Sequence, residues 1–227
     1  MLKLALALLL SAVLATPTLA QPKEGGIPKN TFFKGQTSSQ VLAHGQLIGA
    51  KVTGQSNQAI GTVSDLIVSA DGRIEGVLLG VGGFLGVGEK KIDVRLGDLK
   101  LARSPGRVAI TYPTATKEGL RAKEPFKSAA TGQYLAAERL IGAKVTNKDG
   151  QTIGTIDDLI VGSDNRIDGV ILGVGGFLGG GEKKVGVQLR ALKIAGEGKA
   201  SVTLPGATKE MLSAVGAYEF PKHSAKR

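Results

Sequence analysis

The sequence predicts an all-β protein that consists of two tandem small β-barrels of about six strands each, with short helices at their ends. The first observation is an internal repeat: residues 47–101 match residues 140–194 without a gap, and about two positions in three are identical. The second is a series of short runs rich in Val, Ile and Thr within each copy. The third is the content of 34 glycines in 227 residues, about twice the usual share, which is typical of turns and curved strands.

Apolar residues alternate between turn residues in each copy, which predicts the individual strands. In the first copy we predict strands at residues 50–53, 60–68, 74–81, 91–96 and 108–112. The second copy repeats the same pattern. After the last strand of each copy, Thr116 or Thr208 is a candidate N-cap for a short helix.

Turn residues separate the second and third strands of each copy. Residues 70–73 read Ala-Asp-Gly-Arg, and the second copy has Asp164 and Asn165 at this place. Because Gly and Asn accept a positive φ, we predict a hairpin with a type I′ turn in both copies.

A glycine phrase, Gly-Val-Gly-Gly-Phe-Leu-Gly-x-Gly-Glu-Lys-Lys, stands at residues 80–91 and again at 173–184. It looks like a phosphate-binding loop, but a Walker loop requires Lys and a hydroxyl residue directly after the last glycine, where Glu89 stands. The dinucleotide fingerprint fails as well, since Leu85 occupies the place of its third glycine. We therefore predict that the phrase permits bulges and positive φ where a barrel strand bends.

The first twenty residues have the features of a secretory signal peptide. Lys3 supplies the positive n-region, residues 4–14 are apolar, and small residues precede the predicted cleavage after Ala20. The protein is thus predicted to be periplasmic or secreted, with an uncleaved membrane anchor as the alternative. No other stretch reaches the roughly 20 apolar residues of a transmembrane helix.

The remaining chain is predicted to comprise a polar linker, two units and a basic tail, at residues 21–40, 41–127, 128–221 and 222–227. Phe32-Phe33 is the strongest apolar feature of the linker, and we expect it to anchor onto the first unit; an exposed partner-binding tip is the alternative. Residues 129–139 join the units and are too short for a flexible linker, so we expect the two barrels to touch and a turn of helix before Leu140.

The order of motifs in both copies resembles the PRC-barrel domain. The motifs are Leu-Ile-Gly-x-x-Val, Gly-x-(Val/Ile)-x-Asp-Leu-(Ile/Val), Asp-Gly-Arg-Ile and the glycine phrase. That family includes the cytoplasmic domain of the photosynthetic reaction-centre H subunit and the C-terminal domain of a ribosome-maturation factor. The resemblance implies a six-stranded β-barrel that acts as an adaptor rather than a catalyst. The chain lacks the H subunit's membrane anchor, and an export signal does not fit cytosolic ribosomes, so it is most similar to exported bacterial proteins with tandem PRC-barrels.

Residue types argue against catalysis. The chain has no Cys, and neither His44 nor His223 recurs in the other copy, which excludes Ser-His-Asp, Cys-His and His-rich zinc sites. We predict no enzyme activity, no cofactor and no metal. Three carboxylates recur, namely Asp65 with Asp158, Glu75 with Asp168, and Glu89 with Glu182. We expect these in turns or on the surface, with Asp65 satisfied by a lysine or by main chain.

The formal net charge of +10 is spread along the chain apart from the basic tail, and aromatics that could stack on bases are scarce, so nucleic acid is not an expected partner. A lysine pair follows each glycine phrase. With Arg73 and Arg166 these lysines would form a basic rim on each barrel; alternatively they protect strand edges from aggregation.

These observations predict a non-enzymatic exported interaction or scaffold protein that docks a protein partner at the bacterial cell envelope. The alternative is a binder of an anionic envelope ligand, a lipid headgroup or a wall polymer, through paired basic rims. The candidate docking residues are Phe84, Leu85, Lys90, Lys91, Phe177, Leu178, Lys183 and Lys184.

Overall fold

The computed structural model describes residues 27–69, 71–82, 88–104, 106–127, 134–175, 181–195 and 200–221. The predicted signal peptide and basic tail lie outside this part of the chain. Two short strands precede the first unit, β1 (Phe32–Phe33) and β2 (Val41–Leu42). A π-helical turn at Ala43–Leu47 follows them.

The first unit then contributes six strands and one helix. They are β3 (Lys51–Thr53), β4 (Ala59–Ser69), β5 (Ile74–Val81), β6 (Lys90–Arg95), β7 (Lys100–Ser104), β8 (Arg107–Thr111) and α1 (Lys117–Ala122). The chain enters the second unit through β9 (Tyr134–Ala136) and the single turn of α2 (Ala137–Leu140), the predicted turn of helix.

The second unit repeats the first. Its elements are β10 (Lys144–Thr146), β11 (Thr152–Val161), β12 (Ile167–Val174), β13 (Lys183–Gln188), β14 (Lys193–Ala195), β15 (Ser201–Thr203) and α3 (Lys209–Ala214). Short 3-10 turns at Leu96–Asp98 and Leu189–Ala191 follow β6 and β13. The predicted caps are confirmed, since the Thr116 and Thr208 hydroxyls accept hydrogen bonds from Gly119 N and Met211 N.

Each unit forms its own curved sheet, which confirms the predicted fold class of two barrel-like β units. The strand order is β6-β5-β4-β3-β8-β7 in the first sheet and β1-β13-β12-β11-β10-β15-β14 in the second. Neighbours are antiparallel except for β3 with β8 and β10 with β15. The long strands β4 and β11 each contain register shifts, for example between Val63 and Asp65 and between Ile156 and Asp158. These bulges are where the sheets bend.

The strand that leads into each unit pairs with the other unit. β9 precedes the second unit but pairs with β4 of the first, with Ile67 opposite Ala136. β2 precedes the first unit but pairs with β11 of the second, with Ile160 opposite Leu42. Each sheet therefore includes one short strand that, in sequence, directly precedes the other unit.

The tips of the β4–β5 and β11–β12 hairpins meet and pair. Arg73 bridges Arg166 in antiparallel fashion, Ile74 N donates to Asn165 O at 3.0 Å, and Ile167 N donates to Gly72 O at 2.8 Å. Because the pairing is antiparallel, β5 and β12 run away from this junction in opposite directions.

The prediction that the two units touch is confirmed, because they share one hydrophobic core. Buried Leu79 and Ile92 of the first unit belong to the same cluster as Leu172 and Val185 of the second. Val41 from the crossing strand β2 is part of this cluster and only 1% exposed. The apolar faces of both sheets are thus buried against each other as well as within each unit.

The linker anchors on the second unit, so the prediction of an anchor on the first unit is wrong. Phe32 and Phe33 pair with Val187 and Gly186 of β13. Phe33 packs on a small cluster of Leu42, Ile160, Ile171 and Tyr218. The main chain of Lys34 and Gln36 also pairs with Glu219 near the other end of the described chain.

The predicted type I′ turns are also wrong. A type I′ turn needs two consecutive residues with positive φ, whereas the described residues of each hairpin loop include one, Gly72 (φ 79°) or Asn165 (φ 62°), each preceded by an aspartate without positive φ. Gly72 N donates to Ser69 O, and Ser69 N pairs with Arg73 O. This arrangement is a longer loop closed by a single left-handed residue.

The glycine phrase connects two strands rather than bending one. β5 and β6 pair without a register shift from Gly76 opposite Arg95 to Val81 opposite Lys90, and β12 and β13 do likewise. Positive φ is confirmed at Gly82 (81°) and at the matching Gly175 (95°), where each chain leaves its strand. The described residues of the phrase contain no bulge, contrary to the prediction. The register shifts lie in β4 and β11 instead.

Candidate functional site

The four apolar docking candidates Phe84, Leu85, Phe177 and Leu178 lie outside the described residues. The lysines that follow the glycine phrases are described, and they stand at the starts of β6 and β13.

The first lysine of each pair binds the end of a short helix. Lys90 Nζ donates to the carbonyl oxygens of Arg121 and Lys123, the latter at 2.5 Å. Lys183 Nζ donates to Ser213 O at 2.6 Å. An ammonium group at the carbonyl end of a helix satisfies acceptors that have no partner within the helix. Both side chains therefore serve the local fold.

The second lysine differs between the units. Lys184 Nζ lies 2.7 Å from Asp157 Oδ2 and 2.5 Å from Glu182 Oε2. Partial burial opposes its charge, but the two carboxylates outweigh this effect and raise the pKa of Lys184 above 10.5. In the first unit Ser64 replaces Asp157 and its hydroxyl donates to Glu89, while Lys91 is exposed. Of the four lysines, Lys91 is thus the most accessible.

Glycines within the strands make room for the carboxylates of the phrase. A Cβ at Gly80 would overlap the Glu89 carboxylate, and a Cβ at Gly173 would lie 2.6 Å from Asp157 Oδ2 and also overlap Glu182. The absence of a Cβ at this position leaves the space in which a carboxylate packs across the strand. Gly80 and Gly173 thus accommodate side chains of their own hairpins rather than a phosphate group.

Arg73 and Arg166 lie at the junction of the two units and not on a rim beside the lysines. Arg166 Nη2 donates to Asp71 O at 2.8 Å and to Asp71 Oδ2 at 3.0 Å. The Ser69 hydroxyl and Arg166 together lower the pKa of the Asp71 carboxyl to about 2. Arg73 Nε lies 3.9 Å from Glu75. The predicted basic rim is therefore not assembled from these residues.

The recurring carboxylates Asp65 and Asp158 are buried, with 4% and 8% of their surface exposed, so the prediction of a turn or surface position is wrong. The predicted main-chain contact is confirmed. Asp65 Oδ1 accepts from Leu66 N at 2.7 Å and from Glu138 N at 3.2 Å. Asp158 Oδ1 accepts from His44 N and Leu159 N, both at 2.7 Å, and its Oδ2 accepts from Gly45 N at 2.9 Å.

These two carboxylates join the units. Glu138 belongs to the turn that enters the second unit, and His44 and Gly45 belong to the turn that enters the first. Burial raises the pKa of both carboxyl groups, although the main-chain donors act in the opposite direction. Oδ1 of Asp65 and both oxygen atoms of Asp158 are directed at main-chain donors.

A cleft of about 630 Å³ opens on the second unit, and sequence reasoning missed it. The hairpin of the first unit supplies Asp71, the linker supplies Phe33, and the second unit supplies Arg190, Leu192 and Ile194. A smaller hollow of about 320 Å³ adjoins it, and Arg190 lines both. The only signal in the sequence is a difference between the copies, because Gly97 of the first copy corresponds to Arg190 of the second.

The fold and these contacts define a protein of two tandem β-barrel modules joined into one body. The family model of the PRC-barrel domain matches residues 40–113 and again residues 133–207. The chain therefore belongs to the PRC-barrel family, and it contains two copies of the domain. A search of the curated proteins finds no match. Among the described residues, no helix has the length and apolar character needed to cross a membrane.

Proposed function

We propose that the protein is a non-enzymatic scaffold that is exported to the bacterial cell envelope and docks a protein partner there. The observation that carries this proposal is the fusion of two PRC-barrel domains into one body by exchanged strands. Such a body holds its two barrels in a fixed relation to each other. A fixed relation between two modules suits the bridging of partners, since no ordering entropy has to be spent on the scaffold itself.

The polar groups of the described structure support a role in binding rather than in chemistry. The buried carboxylates accept main-chain hydrogen bonds, and three of the four candidate lysines are held by helix ends or by carboxylates. Residues that catalyse a reaction have to face a substrate. The side chains named here face their own fold.

Export is tested with the full chain and a variant lacking residues 1–20, expressed in a bacterial host and separated into periplasmic and cytoplasmic fractions. We expect the full chain in the periplasm with Gln21 as its new first residue, and the variant in the cytoplasm. Recovery of the full-length chain in the cytoplasm would contradict export, and recovery in the membrane would support the uncleaved anchor.

Partner docking is tested by capture from periplasmic extract with purified mature protein. The variant Phe84→Ser with Phe177→Ser removes one apolar side chain from each glycine phrase, and Phe220→Ser, at a residue 47% exposed elsewhere, is the matched control. We expect one partner to be captured by the wild type and the control and lost from the double variant. Absence of a specific partner, together with turnover of a substrate by the purified protein, would overturn the proposal.

Binding of an anionic envelope ligand is less well supported, because Lys90, Lys183 and Lys184 already have partners. If it occurs, it depends on Lys91 and falls steeply with salt. Vesicles of anionic lipid provide the measurement: Lys91→Gln should abolish salt-sensitive binding, and unchanged binding would exclude this route.

A further inference from the structure

The cleft on the second unit has a counterpart on the first unit that is closed by an arginine. Arg103 Nη2 donates to Asn165 Oδ1 at 3.2 Å and its Nη1 to Ser39 O at 3.5 Å, so the side chain crosses from β7 to the opposite hairpin. Leu96 beneath it is only 7% exposed. The second copy has Gly196 where the first has Arg103. Leu189, which corresponds to Leu96, is half-buried.

The second copy also carries a cation that the first lacks. Arg190 stands where the first copy has Gly97, and it is exposed. Among the described residues it makes no hydrogen bond or ion pair. It is the one charged side chain among the described residues that line the smaller hollow, which Asn30, Thr31 and Leu204 also line. An unpaired guanidinium in such a hollow favours a carboxylate.

A free sheet edge forms the wall of the larger cleft. Among the described strands, β14 is the last of its sheet and pairs with β15 alone, and all three of its residues are exposed. The side chain of Ile194 on this strand lines the cleft and is 38% exposed. An edge strand beside a cleft that Leu189 and Ile194 help to line is suited to receive an additional strand.

We propose that this crevice binds an extended peptide segment of a partner protein, which adds to β14 as a further strand. An acidic side chain of the peptide meets Arg190, and an aliphatic or aromatic side chain two positions away enters the cleft between Leu189 and Ile194. The spacing follows from strand geometry, since residues i and i+2 lie on the same face. The inference deepens the proposed function by locating a docking surface away from the glycine phrases.

The test uses a displayed library of random nonapeptides, selected on the purified mature chain. We expect enriched peptides to share an acidic residue two positions from an apolar one. The best of them, fluorescently labelled, is then titrated by anisotropy. Arg190→Ala should weaken binding at least about tenfold, because a charge-assisted hydrogen bond is lost. Ile194→Ser should weaken it several-fold.

The matched control is Arg95→Ala, which removes an exposed arginine from the first unit and should leave the affinity within about twofold. Both test residues are exposed, so the variants keep the fold, which a melting curve verifies. Failure to enrich peptides, or unchanged affinity in either test variant, would overturn the inference. The capture experiment with the Phe84 and Phe177 variant is independent of this result, so failure here leaves the proposed scaffold function to its own test.

Discussion

Asp65 and Asp158 occupy the same position in the two copies, and each accepts hydrogen bonds from the main chain that leads into the other unit. The relationship is reciprocal and follows the exchange of β2 and β9. A carboxylate in this position satisfies amide groups at the start of a turn that would otherwise be buried without acceptors. The repeated Asp thus holds the tandem together.

Replacing Asp158 with Ala should lower the free energy of unfolding by about 2 kcal/mol or more, because three main-chain donors lose their acceptor. Urea denaturation followed by circular dichroism measures the change. Asp98→Ala is the control, since Asp98 is exposed, and it should stay within about 0.5 kcal/mol of the wild type. Equal stability of the two variants would contradict the role assigned to Asp158.

Asp158 should also make stability depend on pH. Burial raises its pKa above the ordinary value of 3.8 in the folded protein, while the unfolded chain titrates near 3.8. Between these values the folded state holds more protons, so this group's contribution to the free energy of unfolding falls as the pH rises through that window.

Asp158→Asn removes this titration, so it serves as the reference. The wild type should be more stable, relative to this variant, near pH 4 than near pH 7. Urea denaturation at both pH values gives the free energy of unfolding of each protein. The contribution of Asp65 cancels in the difference between them, because Asp65 titrates in both proteins. A relative stability that is constant or rises with pH would show that the pKa of Asp158 is not raised.

Asp71 has the opposite shift. The Ser69 hydroxyl and Arg166 lower its pKa to about 2, so the stabilisation it provides is present above the ordinary value of 3.8 and is lost as the pH falls towards 2. Arg166→Gln should return the pKa of Asp71 towards 3.8. A carboxyl-carbon NMR titration of the wild type and the variant measures this directly. An unchanged pKa in the variant would mean that Arg166 does not act on Asp71.

Gly186, which has no glycine counterpart in the first unit, should control how the linker packs on the second unit. A Cβ at Gly186 would lie 2.6 Å from Tyr218 Cδ2 and 2.8 Å from Phe33 Cβ, so Gly186→Ala must displace one of these rings. We expect a loss of about 1–3 kcal/mol and faster tryptic cleavage after Lys34. Asp93→Ala, at the corresponding exposed position of the first unit, should change neither property. Cleavage at the wild-type rate in Gly186→Ala would contradict the packing of Phe33 against Gly186.

The sequence predicted the repeated units, their strands and both helix caps, because alternation and capping depend on residues close together in the chain. It could not predict the exchange of β2 and β9. Each of these strands could pair with the long strand of its own unit or with that of the other unit. Because β4 and β11 are copies of one sequence, the sequence does not distinguish the two pairings. The anchor of Phe33 was assigned to the nearest unit for the same reason, although Gly186, which replaces Asp93 of the first copy, was a usable signal.

The candidate site was predicted only in part. The lysine pairs were found as a repeated motif, but their partners lie 30 or more residues away on α1 and α3, and residue type does not reveal such contacts. The cleft beside β14 is lined by Arg190, where the first copy has Gly97. Matching the copies emphasises what they share and therefore passes over such positions.

The shared core and exchanged strands should make the two units unfold together. Leu79 and Leu172 are corresponding residues, both fully buried in the same cluster, so replacement of either by Ala should cost about 2–5 kcal/mol. Calorimetry should show one transition in the wild type and in each variant, with the calorimetric and van't Hoff enthalpies equal. Hydrogen exchange gives a second readout: Leu79→Ala should speed global exchange in β11 and β12 as much as in β4 and β5. Two separate transitions, or exchange confined to the substituted unit, would show that the domains are joined in sequence but independent in stability.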